Sequence, residues 1–149
     1  MCTVKMKIGE IESRRQDIPA KAGIYKIEVP DGMEVYFDDP ALEDRGKAAY
    51  DPARLSEIYK KNGCSILYIG KAGGKRGLRQ RLMQYARTLF HNGKSHRGGR
   101  AIRQIRGFEN LIVECKTCKD RDECDLKESA ALKNFRQLHG NYPVANRRG

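Results

Sequence analysis

The stretch Ser65-Ile66-Leu67-Tyr68-Ile69-Gly70-Lys71-Ala72-Gly73-Gly74-Lys75-Arg76-Gly77-Leu78-Arg79-Gln80-Arg81-Leu82 decides the reading of this chain. Ser65 to Ile69 is an apolar run of strand length that ends at Gly70. Gly73-Gly74 and Gly77 mark a loop. From Leu78 to Phe90 the period changes, and Leu78, Leu82, Ala86 and Leu89 fall on one face of a helix. Arg81 and Tyr85 are four apart on that helix and share a face at the edge of its apolar stripe.

Upstream, Ala22 to Val29 reads as a strand with Tyr25, Ile27 and Val29 on one face and Ile24, Lys26 and Glu28 on the other. Pro30-Asp31-Gly32 turns the chain. Met33 to Gly63 is polar and acidic: Met33 to Phe37 is a short strand candidate, and Asp51-Pro52 opens a helix over Pro52 to Lys61 that Gly63 closes. Downstream, His91 to Gly99 is a basic loop and Arg100 to Arg106 a short helix. Asn110 to Cys115 is a third strand. Asp122 to His139 is the last helix, with Leu126, Ala130, Ala131, Phe135 and Leu138 as its apolar positions and Gly140 as its C-cap. This order predicts one α+β domain over residues 1–149, a small three-stranded, mainly antiparallel sheet flanked by helices, with an acidic insertion at about 31–63.

Charge is polarised along the chain. The 149 residues carry 30 Lys+Arg against 19 Asp+Glu, a formal net charge of +11. From Cys64 to Phe108 there are eleven basic residues and no acid. Such a segment attracts a polyanion and releases its counterions. No apolar run approaches the roughly 20 residues of a membrane span, and Met1 to Glu10 has no apolar signal core. The expectation is a cytoplasmic protein whose five cysteines are reduced. Cys115, Cys118 and Cys124 are spaced C-x₂-C-x₅-C; with Cys64 or a His they are a zinc candidate, set against plain reduced thiols at a strand end.

Two tripeptides stand at strand positions, Gly23-Ile24-Tyr25 and Tyr68-Ile69-Gly70. Each alone is ordinary strand sequence. Together they occur in order, followed by Lys71, a glycine loop, the helix arginine Arg81, then Glu128 and Asn146. From Gly23 to Asn146, leaving out Met33 to Gly63, the chain resembles the GIY-YIG nuclease superfamily of homing endonucleases, excision-repair nucleases and some restriction enzymes.

The resemblance implies DNA as partner, phosphodiester hydrolysis, and one Mg²⁺ or Mn²⁺ ion bound by Glu128. It implies that Arg81 holds the scissile phosphate and that Lys71 assists it. One of Tyr25, Tyr68 and Tyr85 would help take the proton from the attacking water. Gly70 and Asn146 would support the site. These residue types suit the chemistry. Arginine presents a planar fork of donors to phosphate oxygens, and Mg²⁺ keeps several waters, so one carboxylate can suffice. A tyrosine, with an ordinary pKa near ~10, needs a neighbouring cation to act as a base at neutral pH. Lys75, Arg76, Arg79, Lys94, Arg97, Arg100 and Arg103 are the expected backbone contacts, and His91 and His96 lie in the same basic loop.

The chain departs from the family in the 42 residues between the tripeptides, Lys26 to Leu67, and in Tyr85, where several members place His. Two other functions stay open at this point: a non-catalytic nucleic-acid-binding module of the same fold, and an interaction domain that engages a protein partner or oligomer through the acidic insertion.

Overall fold

Tyr25, Ile27 and Val29 are buried, while Ile24, Lys26 and Glu28 are half-buried on the reverse face, so the expected alternation sets the central strand. The computed structural model describes residues 3–39, 50–91 and 97–146. Its strands are β1 (Thr3–Lys7), β2 (Gly23–Glu28), β3 (Ile66–Ala72) and β4 (Ile112–Thr117), and its helices are α1 (Pro52–Asn62), α2 (Gly77–Phe90), α3 (Arg97–Arg103) and α4 (Arg121–His139). The class is α+β, with one sheet ordered β1-β4-β2-β3 in which every pairing is antiparallel.

The sheet has four strands, not the three expected. β1 extends it beyond β4, with Val4 opposite Cys115 and Met6 opposite Val113. Only Val4 and Met6 in this five-residue strand are apolar, and they alternate with Thr3, Lys5 and Lys7. The period of two was present in the sequence, but two apolar residues are a faint form of it. Met33 to Phe37 does not become a strand: among the described residues it makes one isolated bridge, Phe37 to Ile105.

Register decides which residues share a face. Tyr25 lies opposite Gly70, Ile27 opposite Tyr68 and Lys26 opposite Ile69. The Tyr25 face joins the main core, which takes Leu55 and Ile58 from α1, Leu78, Leu82, Tyr85, Ala86 and Leu89 from α2, and Ala101 and Ile102 from α3. The Ile69 face meets Leu132 and Phe135 of α4 in a smaller cluster.

The last helix is rotated relative to the sequence expectation. Leu126 and Leu138 are 73% and 79% exposed and Ala130 is exposed, whereas Cys124, Leu132 and Phe135 are buried. α4 lies over the edge strand β3 and buries a narrow stripe running 124, 128, 131, 132 and 135. The broader apolar count pointed elsewhere because two leucines lie outside that stripe.

The acidic insertion is part of the core. Asp51 caps α1 by accepting from the Ala53 N–H at 3.0 Å, and Gly63 closes the helix. Phe37 meets Tyr59 edge-on at 6.3 Å. Buried Gln104 donates to the carbonyls of Asp38 (3.2 Å) and Tyr50 (2.9 Å) and accepts from the Tyr50 N–H (3.3 Å). Several insertion acids are engaged within the chain: Asp38 pairs with Arg106 at 2.8 Å, and Glu57 pairs with Lys61 at 3.1 Å and Arg54 at 3.3 Å. Excising Met33 to Gly63 would therefore remove Leu55 and Ile58 from the core.

Candidate active site

The two tripeptides meet across the β2–β3 pair, and their glycines are demanded by close approach. A Cβ on Gly70 would lie 2.7 Å from Tyr25 Cζ and from Tyr68 Cε1. A Cβ on Gly23 would lie 2.4 Å from Leu78 Cδ1 and from the Lys116 carbonyl oxygen. Gly70 thus lets two tyrosine rings close over the strand.

Tyr25, Tyr68 and Tyr85 form one cluster. Ring centroids are 5.9 Å apart for Tyr25–Tyr68, 6.2 Å for Tyr25–Tyr85 and 5.9 Å for Tyr68–Tyr85. The Tyr25 hydroxyl is hydrogen-bonded to that of Tyr68 and accepts from Arg81. Burial, reinforced by Tyr68, pushes the Tyr25 hydroxyl well above the usual phenol range despite Arg81. Burial does the same to Tyr85. In both, desolvation outweighs the neighbouring guanidinium of Arg81. Tyr85 also lies in the interior of the main core rather than at the edge of its helix stripe. Tyr68 is the half-buried member of the three.

Arg81 projects from α2 into a cleft of about 320 Å³, lined also by Lys71, Gly73, Gly74, Arg121 and Asp125. Its Nη1 donates to Gln84 at 3.3 Å. Lys71 lies on the opposite sheet face from Tyr25, being paired with Ile24, and reaches the same cleft around the edge strand. Its Nζ is 2.7 Å from Asp125 Oδ1 and 3.7 Å from Glu128 Oε1. The hydrogen bond to Asp125 raises Lys71 above the usual lysine range, and the same bond lowers Asp125. Lys71 is thereby held as a cation.

Asp125 escaped the sequence reading. Its signal was its place three residues before Glu128 on one helix, which puts both carboxylates on one face. Glu128 had a further signal: it occupies the buried stripe of α4 between Cys124 and Leu132, with its side chain 13% exposed. A carboxylate there needs a partner, and Lys71 is one.

Asn146 comes from the far end of the described chain to the outer edge of β3. Its Oδ1 accepts from the Ile69 N–H at 2.9 Å and its Nδ2 donates to the Ile69 carbonyl at 2.8 Å. The Ala145 N–H donates to Leu67 O at 2.9 Å. One side-chain amide thus serves both edge groups of Ile69, as a neighbouring strand would.

The basic residues divide. Lys75 and Arg76 are exposed in the loop before α2. Arg79 spends its Nε–H on the Ile18 carbonyl at 2.8 Å, and Arg103 donates to Thr88 O at 2.8 Å, so both hold backbone. Arg100 is half-buried on α3. Lys94, His96 and the side chain of Arg97 lie outside the described residues. His91 pairs with Glu12 at 2.9 Å.

Cys115, Cys118 and Cys124 do not assemble as a zinc triad. Among the described residues no three His, Cys, Asp or Glu side chains group as metal ligands. Cys115 is buried in the main core on β4, opposite Tyr25. Cys124, buried at the start of α4 and in contact with Cys118, is pushed up to about 12, chiefly by desolvation. Among the described residues no helix is long and apolar enough to cross a membrane. No known protein family, curated protein or solved structure matches the chain.

Proposed function

We propose that this chain is a divalent-metal-dependent endonuclease that hydrolyses DNA phosphodiester bonds. The observation that carries this reading is the meeting of Arg81 and Lys71 in one cleft, with Glu128 3.7 Å from Lys71 Nζ. α2, the edge strand and α4 each supply one of these groups, so the cleft can receive a phosphate from a strand lying across it.

Arg81 has guanidinium N–H groups to offer two phosphate oxygens, and it stabilises negative charge that builds in the transition state. Lys71 adds a second positive charge once it exchanges Asp125 for phosphate. Tyr68, the tyrosine of the cluster with solvent access, is the one suited to give its phenolic proton to solvent and, as phenolate, to receive the proton of the attacking water. Tyr25 and Tyr85 hold its ring in place. Glu128 offers a hard carboxylate oxygen to a single Mg²⁺ or Mn²⁺ ion once Lys71 turns from it toward phosphate, and such ions complete their shells with water and phosphate. The ion would supply Lewis-acid stabilisation of phosphate charge.

The test is a panel of duplex, nicked, flapped and branched DNA incubated with Mg²⁺ or Mn²⁺. Cleavage is expected in the native chain, with losses of at least a hundredfold in Arg81→Ala and Glu128→Ala. Full activity in both variants would remove the mechanism. Tight binding of DNA without cleavage of any substrate would assign the chain instead to non-catalytic nucleic-acid binding.

A further inference from the structure

We infer that the nucleic-acid strand leaves the candidate active site along α4, where Lys133 and Arg136 hold its phosphates; this rests on the nuclease reading above. A second cleft, of about 520 Å³, opens on α4 beside Lys133, Arg136 and Tyr142. No acidic residue lines it. Lys133 has no ion pair among the described residues, and the Arg136 guanidinium is ordered over the Tyr142 ring at 5.2 Å, with Nη1 3.5 Å from the Tyr142 hydroxyl. An arginine so stacked is already extended and has lost part of the rotamer freedom that phosphate binding would otherwise cost.

Helical spacing connects this cleft with the first. Arg121, Asp125, Ser129, Lys133 and Arg136 follow one another at intervals of three and four along a single face of α4. Lys133 and Arg136 lie five and eight residues beyond Glu128, about 8–12 Å along the axis at 1.5 Å per residue. At ~3.4 Å per nucleotide along one strand, that is about two to four nucleotides from the scissile phosphate.

Toward α3, several of the described arginines are already engaged. Arg79 and Arg103 donate to backbone carbonyls and Arg106 is paired with Asp38. The acid-free segment that first suggested a polyanion therefore spends several of its arginines on partners within the chain. The cations of α4 lie outside that segment, so sequence blocks of charge did not reveal them.

The experiment is fluorescence anisotropy of a labelled synthetic duplex and of its single strand, repeated across a salt series without divalent metal. Lys133→Gln/Arg136→Gln is compared with the native chain and with Lys5→Gln/Lys7→Gln on the distant strand β1. Loss of two phosphate contacts should flatten the slope of log K against log salt by about 1.4–1.8. The β1 variant should leave it unchanged. Under saturating DNA with Mg²⁺, kcat should be retained in the α4 variant while KM rises. An unchanged slope would overturn the inference, as would an equal change in the β1 variant. So would binding of poly-glutamate, rather than DNA, that depends on these two residues. A flattened slope in a chain that never cleaves DNA would sink the nuclease reading while leaving the α4 track in place.

Discussion

Asn146→Ala should damage the fold well beyond the size of the change. The amide makes two hydrogen bonds to Ile69, at 2.9 and 2.8 Å, on the edge of β3. Truncation leaves a donor and an acceptor without partners on a buried strand residue, and each such group costs about 1–3 kcal/mol. Part of the site reaches water, which sets the expected loss at about 2–4 kcal/mol. Against a total stability on the order of 5–15 kcal/mol, that is a large fraction, and at about 2–4 °C per kcal/mol it lowers Tm by roughly 5–15 °C. Urea unfolding followed by circular dichroism gives the free energy, and hydrogen exchange at the Ile69 amide gives its local counterpart. Asn146→Asp separates the two bonds: it keeps an acceptor for the Ile69 N–H but sets a carboxylate oxygen against the Ile69 carbonyl, so it should recover little stability. A loss in Asn146→Ala below about 0.5 kcal/mol, the range of ordinary surface changes, would refute the argument that this side chain completes the strand.

Gly70→Ala should destabilise by about 1–3 kcal/mol through overpacking against the Tyr25 and Tyr68 rings, read as a drop in the urea midpoint. Leu55→Ala should cost about 2–5 kcal/mol in the same assay, because α1 belongs to the core; a near-neutral result would return the insertion to the status of an appendage. Tyr25 and Tyr85 are raised in the folded state, so their contribution to stability is complete below the unfolded value near ~10 and is lost as pH rises from there toward the folded values. Ultraviolet titration should show two tyrosines that ionise only with alkaline unfolding, and Phe at either position should make that unfolding less steep. Cys124, at about 12, holds about one ten-thousandth of its thiol as thiolate at pH 8, so iodoacetamide should leave it unmodified in the native chain and label it once urea is added.

How far the sequence reached is clearest at particular residues. The alternation of Tyr25, Ile27 and Val29 and the helical spacing of Leu78, Leu82, Ala86 and Leu89 are strong periodic signals, and both elements lie where those signals put them. β1 carries the same period in two residues, Val4 and Met6, and its strandedness depends on β4, about a hundred positions away in the chain. α4 was legible as a helix but not in its rotation, because Leu126 and Leu138 outweigh the smaller residues that face β3. Within the candidate site, Lys71, Arg81 and Glu128 were legible as residues. That Lys71 passes around the edge strand to reach the cleft with Arg81, and finds Asp125 there, follows from register alone. The interior use of Arg79 and Arg103 could not be read from charge, since a basic residue bound to a carbonyl looks the same in sequence as one waiting for phosphate.

Gln104 has a consequence for protein engineering. One buried amide grips the chain at Asp38 and again at Tyr50, so the two ends of the segment between them are fastened at the same point. Gln104→Ala would therefore act on both places at once, taking a shared partner from the Asp38 carbonyl and from the Tyr50 carbonyl and N–H with a single substitution.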